Sequence, residues 1–558
     1  MFKFKVSFFL LIACGLAKAQ SPYLGIDQNY YHLIERLETK SGQLANNFHS
    51  NLKPFERREV IRLVESLDLK DSVYTGKDAW NLNYLKADSW SDALDSTIGL
   101  GKVFLKHFFE RKSDFYFVKN EDFEIHASPI FSFGGGTNSG DSGNQGQFIN
   151  TRGVSIRGSI NSKLGFYTDF TENQESSPFY IKEYYRQTEG FPYTGFTKIV
   201  GNDVTRLTRD YVQANGYIVF KPSKHINIRF GHSKNFVGSG VRSMILSDFS
   251  APYLNLMVNV KLGRLEYQNM LARMSNTQVD IGVNDLLAIP PKYLAFHHLN
   301  MNVSKRLNIG LFETVMFGDR AFDLNYLNPI IFYRFVEGLI GSSDNSVVGL
   351  DFKLLLGKSL ISYGQFVLDE YNAKESRNEG WHGEKNAGQL GLKYIDALGF
   401  KNFDLQGEFN YARPYTYSHF SDYSSLVNYN VPLAHPLGAN FNELLFVARY
   451  QPLNKLFLKA TYMQATKGYD IGDLNWGGDV LKNYRNGRPN ELGNFITQGD
   501  ARTIVNIRAE ASYMLGHNLF LDASFQSRRE KGVNFEDTRN NLFNFGVRWN
   551  ANILRPLL

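Results

Sequence analysis

The chain has 558 residues, 43% of them hydrophobic and 15% aromatic, and its 61 basic and 55 acidic side chains leave a net charge of +6. This mild balance contains no block of like charge, which argues against nucleic acid as a partner. Mean hydropathy is -0.31. No apolar run beyond the N-terminus approaches the roughly 18 residues of a membrane-spanning helix, so a helical membrane protein is excluded.

The first twenty residues have the pattern of an export signal. Lys3 and Lys5 precede an apolar run from Val6 to Leu16, and Ala17-Lys18-Ala19 has the small-x-small spacing of a cleavage site. We expect residues 1–19 to be a signal peptide that is removed after Ala19. A lipoprotein box ending at Cys14 is the alternative, although it would leave a very short apolar region. Cys14 is the only cysteine, so the mature chain has no disulfide and no cysteine metal site.

Residues 20–120 are interpreted as an N-terminal periplasmic helical region. The apolar residues of 30–37 and of 60–67 recur at i, i+3, i+4 and i+7, which predicts two short helices. Such short stripes bury little apolar surface by themselves, so we expect the helices to pack under a larger domain. Residues 71–120 show no clear pattern.

The stretch from Val505 to Gln526 shows how the rest of the chain is organised. Apolar and polar residues alternate on both sides of a turn at Gly516 and His517, which predicts a hairpin with one apolar and one polar face. We find eighteen such segments between residues 122 and 551. Tight connectors alternate with long ones, as in outer-membrane barrels with short periplasmic turns and long extracellular loops. Residues 121–558 are therefore predicted to form a large closed antiparallel transmembrane β-barrel of about 18 strands, in the outer membrane.

No motif specifies catalysis, a metal or a cofactor. Gly140-Asp141-Ser142-Gly143 resembles the surroundings of a nucleophilic serine, but it lies in a glycine-rich stretch that is typical of a flexible loop. His297 and His298 are adjacent on a predicted strand, so their side chains point to opposite faces, which argues against a shared metal site. We therefore expect a protein that is not an enzyme and binds no cofactor.

Charged residues concentrate in and beside the connector at 318–344. Inside a barrel these side chains could pair and hold the connector in the lumen as a plug, because buried charges need partners. The alternative is that these charged residues lie at the solvated base of a loop. The predicted lumen network consists of Glu313, Asp319, Arg320, Arg334, Glu408, Arg413 and Glu443.

Two long connectors, 414–439 and 467–502, carry aromatic residues among polar ones. Aromatic rings beside polar groups suit sugars, which are apolar on one face and carry hydroxyls around the rim, although such aromatics also serve as packing or membrane-girdle residues. The candidate glycan-facing residues are Tyr415, Tyr417, His419, Tyr423, Tyr469 and Trp476.

Three stretches carry a family resemblance: E-T-V-M-F-G-D-R with Y-L-N-P-I-I-F-Y-R, E-F-N-Y-A-R-P-Y at 408–415, and H-P-L-G-A-N-F-N-E at 435–443. With them the chain resembles the capsule-assembly Wzi-like outer-membrane family, and within it the RemB-type branch linked to gliding motility. The resemblance implies a large barrel with N-terminal periplasmic helices and a non-enzymatic role in binding surface polysaccharide or in gliding. Its expected partners are outer-membrane lipid, a polysaccharide, and motility or secretion proteins. An outer-membrane channel, or an accessory of a secretion or transport complex, is the alternative function.

Overall fold

The structure is a computed structural model that describes residues 21–26, 30–105, 107–141, 143–161, 163–200, 208–278, 289–330, 332–341 and 344–552. The predicted signal peptide, its cleavage site at Ala19 and Cys14 lie outside the described residues, as does Ser142 of the serine motif.

Eighteen antiparallel strands, β1–β18 in chain order, form a closed barrel. Each strand pairs with the next, and β18 returns to pair with β1, so no long strand edge is left open. The prediction of a closed barrel of about 18 strands is confirmed. The strands are β1 Phe123–Gly140, β2 Gly143–Ile160, β3 Leu164–Ser176, β4 Thr208–Phe220, β5 Ile226–Ser233, β6 Tyr253–Leu262, β7 Leu265–Ser275, β8 Pro291–Asn302, β9 Leu307–Gly318, β10 Asn345–Leu355, β11 Leu360–Glu370, β12 Lys385–Tyr394, β13 Phe403–Ala412, β14 Phe441–Leu453, β15 Leu456–Tyr469, β16 Asp500–Gly516, β17 Leu519–Gly532 and β18 Thr538–Trp549.

The two faces of each strand differ as the sequence predicts. In β16, Ile507 is 48% exposed on the outer surface, whereas its neighbours Asn506 and Arg508 are 0% and 4% exposed in the lumen. Phe525 on β17 is also exposed on the outer surface, while Asp522 is buried inside. The barrel therefore has an apolar outer band and a polar interior, which is the arrangement of a barrel surrounded by lipid.

The connections differ between the two ends of the barrel. At one end, here called the short-turn end, all eight connections are brief, and several have only two residues, such as 454–455 between β14 and β15. The opposite end, here called the long-loop end, carries the long connections 177–207, 319–344, 413–440 and 470–499. Two connections at the long-loop end, 141–142 and 533–537, are also short.

The glycine-rich stretch around residues 134–147 is not a flexible loop, contrary to our expectation. It lies in the long hairpin of β1 and β2, which extends to Gly140 and Gly143. Glycine permits a close approach here, because a Cβ at Gly136 would overlap the carbonyl oxygen of Phe543 on β18.

The chain also forms short helices and small strands. The α-helices are α1 Tyr30–Ser41, α2 Arg57–Glu65, α3 Gly76–Asp88, α4 Phe179–Thr188 and α5 Tyr333–Ile340, and the 3-10 helices are Trp90–Asp92, Leu324–Leu327, Glu375–Arg377, Ala397–Gly399 and Asp422–Ser424. The small strands are Leu52–Lys53, Phe108–Arg111, Asp114–Lys119, Lys198–Val200, Phe236–Val237, Val427–Asn428 and Val431–Pro432. In the described part of the chain, no helix has the length and apolar character needed to cross a membrane.

Helices α1–α3 fill the short-turn end of the barrel. Their apolar core includes the wall residues Met514 and Phe520. Buried charges attach α1 to the wall: Lys353 on β10 lies 2.7 Å from Glu38, and Arg36 pairs with Asp404 at the start of β13. The helices are thus held inside the barrel mouth by ion pairs as well as by apolar contacts.

The region expected to be helical up to residue 120 ends in strands. Phe108–Arg111 and Asp114–Lys119 form a hairpin, and the second of these strands pairs with β1 at Tyr116 and Ala127. It occupies the edge of β1 beyond the point where β18 stops pairing.

A lysine in the outer band should destabilise the barrel in a bilayer. Ile507 lies near the middle of β16, so we expect Ile507→Lys to lower the free energy of unfolding by about 2–4 kcal/mol, because the charge would enter hydrocarbon. Urea titration of the protein folded in liposomes measures this change. Val533→Lys, in an exposed loop at the long-loop end, is the control and should have little effect. Equal effects of the two substitutions would contradict a lipid-facing band.

Candidate functional site

Parts of three connections of the long-loop end fold into the lumen. They are α4 in the first connection, residues 234–252 and residues 413–440, and most residues of the last two are buried. Met244, Tyr417 and Leu433 from these segments share one apolar core with wall residues such as Met270 and Phe312. The Tyr417 hydroxyl also donates to the Met244 carbonyl at 2.6 Å, which joins two of the segments to each other.

A buried charge cluster fastens these segments to the wall. Arg242 lies 2.6 Å from Glu443 on β14, and His435 Nε2 lies 2.9 Å from the same carboxylate. Glu408 on β13 accepts the backbone N–H of Arg242 at 3.1 Å and the hydroxyl of Tyr363 at 2.8 Å. Buried carboxylates of this kind are stable only with such partners.

Glu408 and Glu443 therefore lie in the lumen, but Arg242, whose guanidinium pairs with Glu443, was missed. Arg242 ends the stretch Gly238-Ser239-Gly240-Val241-Arg242 in a connection without alternation, so no local pattern indicates its inward position. Arg413 was also assigned to the lumen network. It lies at the long-loop end of β13 and donates to the carbonyl of Glu384 at 2.8 Å.

The prediction that 318–344 plugs the lumen is wrong. Glu313 has the same strand parity as the exposed Leu311, so it faces outward, and the connection that follows runs along the outside of the barrel. Arg320 pairs there with Asp344 at 2.5 Å, Arg334 pairs with Glu337 at 2.7 Å, and Asp319 is exposed at the rim.

A large cavity, called the vestibule, opens at the long-loop end and has a volume of about 800 Å³. One side is α4, whose Lys182 donates to Gln145 on β2 at 2.8 Å. The other side consists of the 467–482 region and the upper ends of β16–β18. The lining residues that bear on its chemistry are Tyr180, Lys467, Tyr469, Asp470, Asp479, Lys482, Arg502, Arg528, Glu530 and Phe535.

Aromatic rings and charges are fixed in place in the vestibule. The Arg502 guanidinium lies between two rings, 4.3 Å from the centre of Tyr469 and 4.0 Å from that of Phe535. Arg502 is also held by Asp500 at 2.8 Å, and Lys482 pairs with Asp470 at 2.5 Å. The cavity thus presents aromatic surface beside fixed hydrogen-bonding groups.

Only one of the six candidate glycan-facing residues, Tyr469, lines the vestibule. Tyr415 and Tyr417 are 1% and 2% exposed, so they are packing residues. His419 is buried and packs against Phe420, with ring centres 4.2 Å apart. The remaining two, Tyr423 and Trp476, are half-buried against Gly318 and Gly499, respectively. Burial therefore contradicts the interpretation of Tyr415, Tyr417 and His419 as glycan-facing residues, whereas the assignment of Tyr423 and Trp476 stays a prediction.

A second cavity of about 400 Å³ lies deeper, between α1 and the 234–252 segment. Its wall includes Arg36, Arg242, Arg449 and Arg508 together with Asp404 and Glu510. In the described residues, no three His, Cys, Asp or Glu side chains are grouped so that they could hold a metal ion. His297 and His298 do point to opposite faces, and His298 pairs with Asp351 in the lumen at 2.6 Å.

His435 is neutral at pH 7. Its Nε2 donates to Glu443, and its Nδ1 accepts the backbone N–H of Leu437 at 3.1 Å, which is the pattern of a single neutral tautomer. Burial lowers the pKa of His435 to about 4, although Glu443 opposes this shift; Arg242 and Lys467 lower the pKa further. Protonation at Nδ1 would place two N–H donors against each other, at His435 and Leu437, and would break this hydrogen bond.

Fold and site together define a closed β-barrel whose lumen is occupied from both ends and which keeps a polar cavity at its long-loop end. Wzi, an outer-membrane protein involved in group 1 capsule assembly in Escherichia coli and a carbohydrate-binding β-barrel, is similar in fold. It has 13% sequence identity and a TM-score of 0.56, and the match covers 95% of this chain and 100% of Wzi.

Two further barrels match less well. OccAB1 of Acinetobacter baumannii has 10% identity and a TM-score of 0.42, over 76% of this chain and 96% of its own. OprD of Pseudomonas aeruginosa has 10% identity and a TM-score of 0.40, over 76% and 94%. No protein-family model matches the sequence, and comparison with curated protein sequences gave no match.

Removing Arg242 should loosen the lumen segments. In Arg242→Ala the buried Glu443 would lose its guanidinium partner, so we expect a loss of about 3–5 kcal/mol in unfolding free energy and more frequent conducting events in planar bilayers. Arg334→Ala is the matched control, because Arg334 lies on the outside, and it should conduct like the wild type. Increased conductance in Arg334→Ala but not in Arg242→Ala would indicate that the 318–344 connection plugs the lumen after all.

Acid should weaken the lumen segments through His435. The folded-state pKa of about 4 lies below the unfolded value of about 6.5. The folding stability that depends on neutral His435 is therefore complete above pH 6.5 and is lost as the pH falls towards 4. We expect the melting temperature to fall more between pH 7 and pH 4.5 in the wild type than in His435→Gln, which does not titrate there. Identical pH profiles would show that His435 does not couple acid to stability.

Proposed function

We propose that the protein is an outer-membrane barrel that binds a cell-surface polysaccharide in the vestibule and has no catalytic role. The observation that carries this proposal is the cavity of about 800 Å³ at the long-loop end, with Tyr469 and Phe535 beside fixed charged groups. In outer-membrane barrels the long loops face the cell exterior, so this cavity would open to the surface where such polysaccharides are found.

The chemistry of the vestibule suits a sugar chain. A pyranose ring stacks its C–H face on an aromatic ring, while its hydroxyls need donors and acceptors around the rim. Asp470 and Glu530 supply acceptors, and Lys482 and Arg528 supply donors, all at the border of the cavity. The vestibule is open at the surface, so a polymer could enter without being threaded through the barrel.

The fold of Wzi supports the proposal at the level of analogy. Wzi is a carbohydrate-binding barrel involved in capsule assembly, and the two chains share a fold over nearly their full lengths. The three inward-folded connections and α1–α3 favour binding over passage of solutes, so a transport channel is the less well supported alternative. Retained polysaccharide could serve capsule assembly or, as the gliding-branch resemblance implies, surface movement with motility or secretion partners.

Tyr469→Ala should reduce polysaccharide binding at least tenfold, because it removes a ring from the vestibule and the neighbour of Arg502. Binding of the purified, detergent-solubilised protein to an array of bacterial surface polysaccharides measures the change. Tyr371→Ala is the matched control, since Tyr371 is an exposed tyrosine at the long-loop end outside the vestibule.

Equal binding by wild type, Tyr469→Ala and Tyr371→Ala would show that the polysaccharide does not bind in the vestibule. In cells, a deletion strain complemented with each variant separates the two physiological roles. Loss of capsule staining would assign the bound polymer to capsule assembly, and loss of colony spreading alone would assign it to movement.

A further inference from the structure

Three polar side chains form a row on the outer wall of the barrel. Asn269 on β7 pairs with His297 on β8, and His297 pairs with Glu313 on β9. Directly paired residues point to the same face of a sheet, and Leu299 and Leu311 on that face are exposed on the outer surface. The row therefore faces away from the lumen, within a surface that is otherwise apolar.

The connection between β9 and β10 covers this row. The carboxylate of Glu313 accepts the backbone N–H groups of Tyr333 at 2.8 Å and Arg334 at 3.0 Å, which begin α5. The rings of His297 and Tyr333 are 3.9 Å apart between centres, and the Tyr267 hydroxyl donates to the Pro329 carbonyl. Glu313 thus satisfies donors that the first turn of a helix leaves free.

Apolar packing and one ion pair hold the rest of the connection to the wall. Tyr326, Tyr333 and Val336 cover outward-facing wall residues such as Val315 and Phe317 in one buried cluster. At the rim, Asp344 accepts the Tyr326 hydroxyl at 2.7 Å and pairs with Arg320. The described residues of this connection, 319–330 and 332–341, are therefore a built part of the outer surface and are here called the outer cover.

The side of the outer cover that faces away from the barrel is mostly apolar, apart from the side chain of Arg334, which is 75% exposed and pairs with Glu337. Ile330 is 89% exposed and Leu339 80%, and Phe332 and Phe335 are each 66% exposed. Large apolar side chains so concentrated in a short segment are unfavourable in water and mark an interaction surface.

The depth of the outer cover places this surface beside hydrocarbon. Glu313 lies five residues below the end of β9 at Gly318. At about 3.3 Å per residue and a strand tilt of about 40°, the beginning of α5 lies roughly 12 Å below the strand end. The apolar band of such barrels is about 25 Å tall, so this position falls within it.

We propose that the outer cover is a membrane-embedded element whose apolar side contacts lipid acyl chains. Its exposed residues continue the apolar band formed by Leu299, Leu311 and Leu350 on the neighbouring strands. The cover also shields Asn269, His297 and Glu313 from the lipid, which would otherwise meet three polar groups in hydrocarbon. Lipid is the occupant because the surface is continuous with the band that lipid already surrounds.

Spin-label accessibility tests this proposal. A nitroxide attached to Phe335→Cys, in a Cys14→Ser background and reconstituted in phosphatidylcholine liposomes, should collide several-fold more often with oxygen than with a water-soluble nickel chelate. Val533→Cys, in the loop 533–537 at the long-loop end, is the matched control and should show the reverse preference. Leu339→Cys provides an independent label on the same side of α5 if Phe335→Cys fails to fold.

Two results would overturn the proposal. Preference for the nickel chelate at positions 335 and 339 would place the outer cover in water. Dipolar broadening between labels, lost on dilution with unlabelled protein, would show that a second copy of the chain occupies the surface. Glu313→Ala should increase the mobility of a label at 335, because α5 would lose the acceptor of its first two N–H groups, whereas Asp323→Ala, in the same connection, should not.

Discussion

The whole structure depends on the difference between the two faces of the barrel wall. The outer face is mostly apolar, so most charged and amide side chains of the strands point inward, where many of them are buried; Asn269 and Glu313, beneath the outer cover, are exceptions. A buried charge is tolerated only with a partner, and the partners come from the segments that enter the lumen. Arg242 pairs with Glu443 from the long-loop end, and Arg36 pairs with Asp404 from the short-turn end. The wall and the lumen segments therefore stabilise each other.

The same constraint made the architecture predictable from the sequence. Alternation with a period of two, as in Val505 to Tyr513, depends only on which side of a strand meets lipid, so it can be seen in the sequence without knowing which strands pair. What the pattern missed depends on contacts between distant parts of the chain. The hairpin at 108–119 is stabilised by pairing with β1, and the glycine-rich end of β1 is a strand because β18 lies against it.

The site was less predictable, for two physical reasons. Glu313 alternates in phase with Ile309 and Leu311, so its outward position could have been predicted. The charged residues of the following connection led to the lumen assignment instead. Tyr415 and Tyr417 had no such signal. Their burial depends on contacts with Asn475 and Met244, which lie far away in the sequence. Tyr469 was identified as one of the aromatic residues of the connector 467–502. Its contact with Arg502 depends on the pairing of β15 with β16, and the contact of Arg502 with Phe535 depends on the pairing of β16 with β17.

The vestibule, and no deeper part of the barrel, is the proposed receptor for the polysaccharide. Hydrogen exchange followed by mass spectrometry, with and without a saturating polysaccharide identified on the array, tests this assignment most directly. We expect slower exchange in peptides covering 180–188, 467–482 and 528–537, with α1–α3 unchanged. Protection confined to α1–α3 or to the deeper cavity beside Arg449 would contradict it.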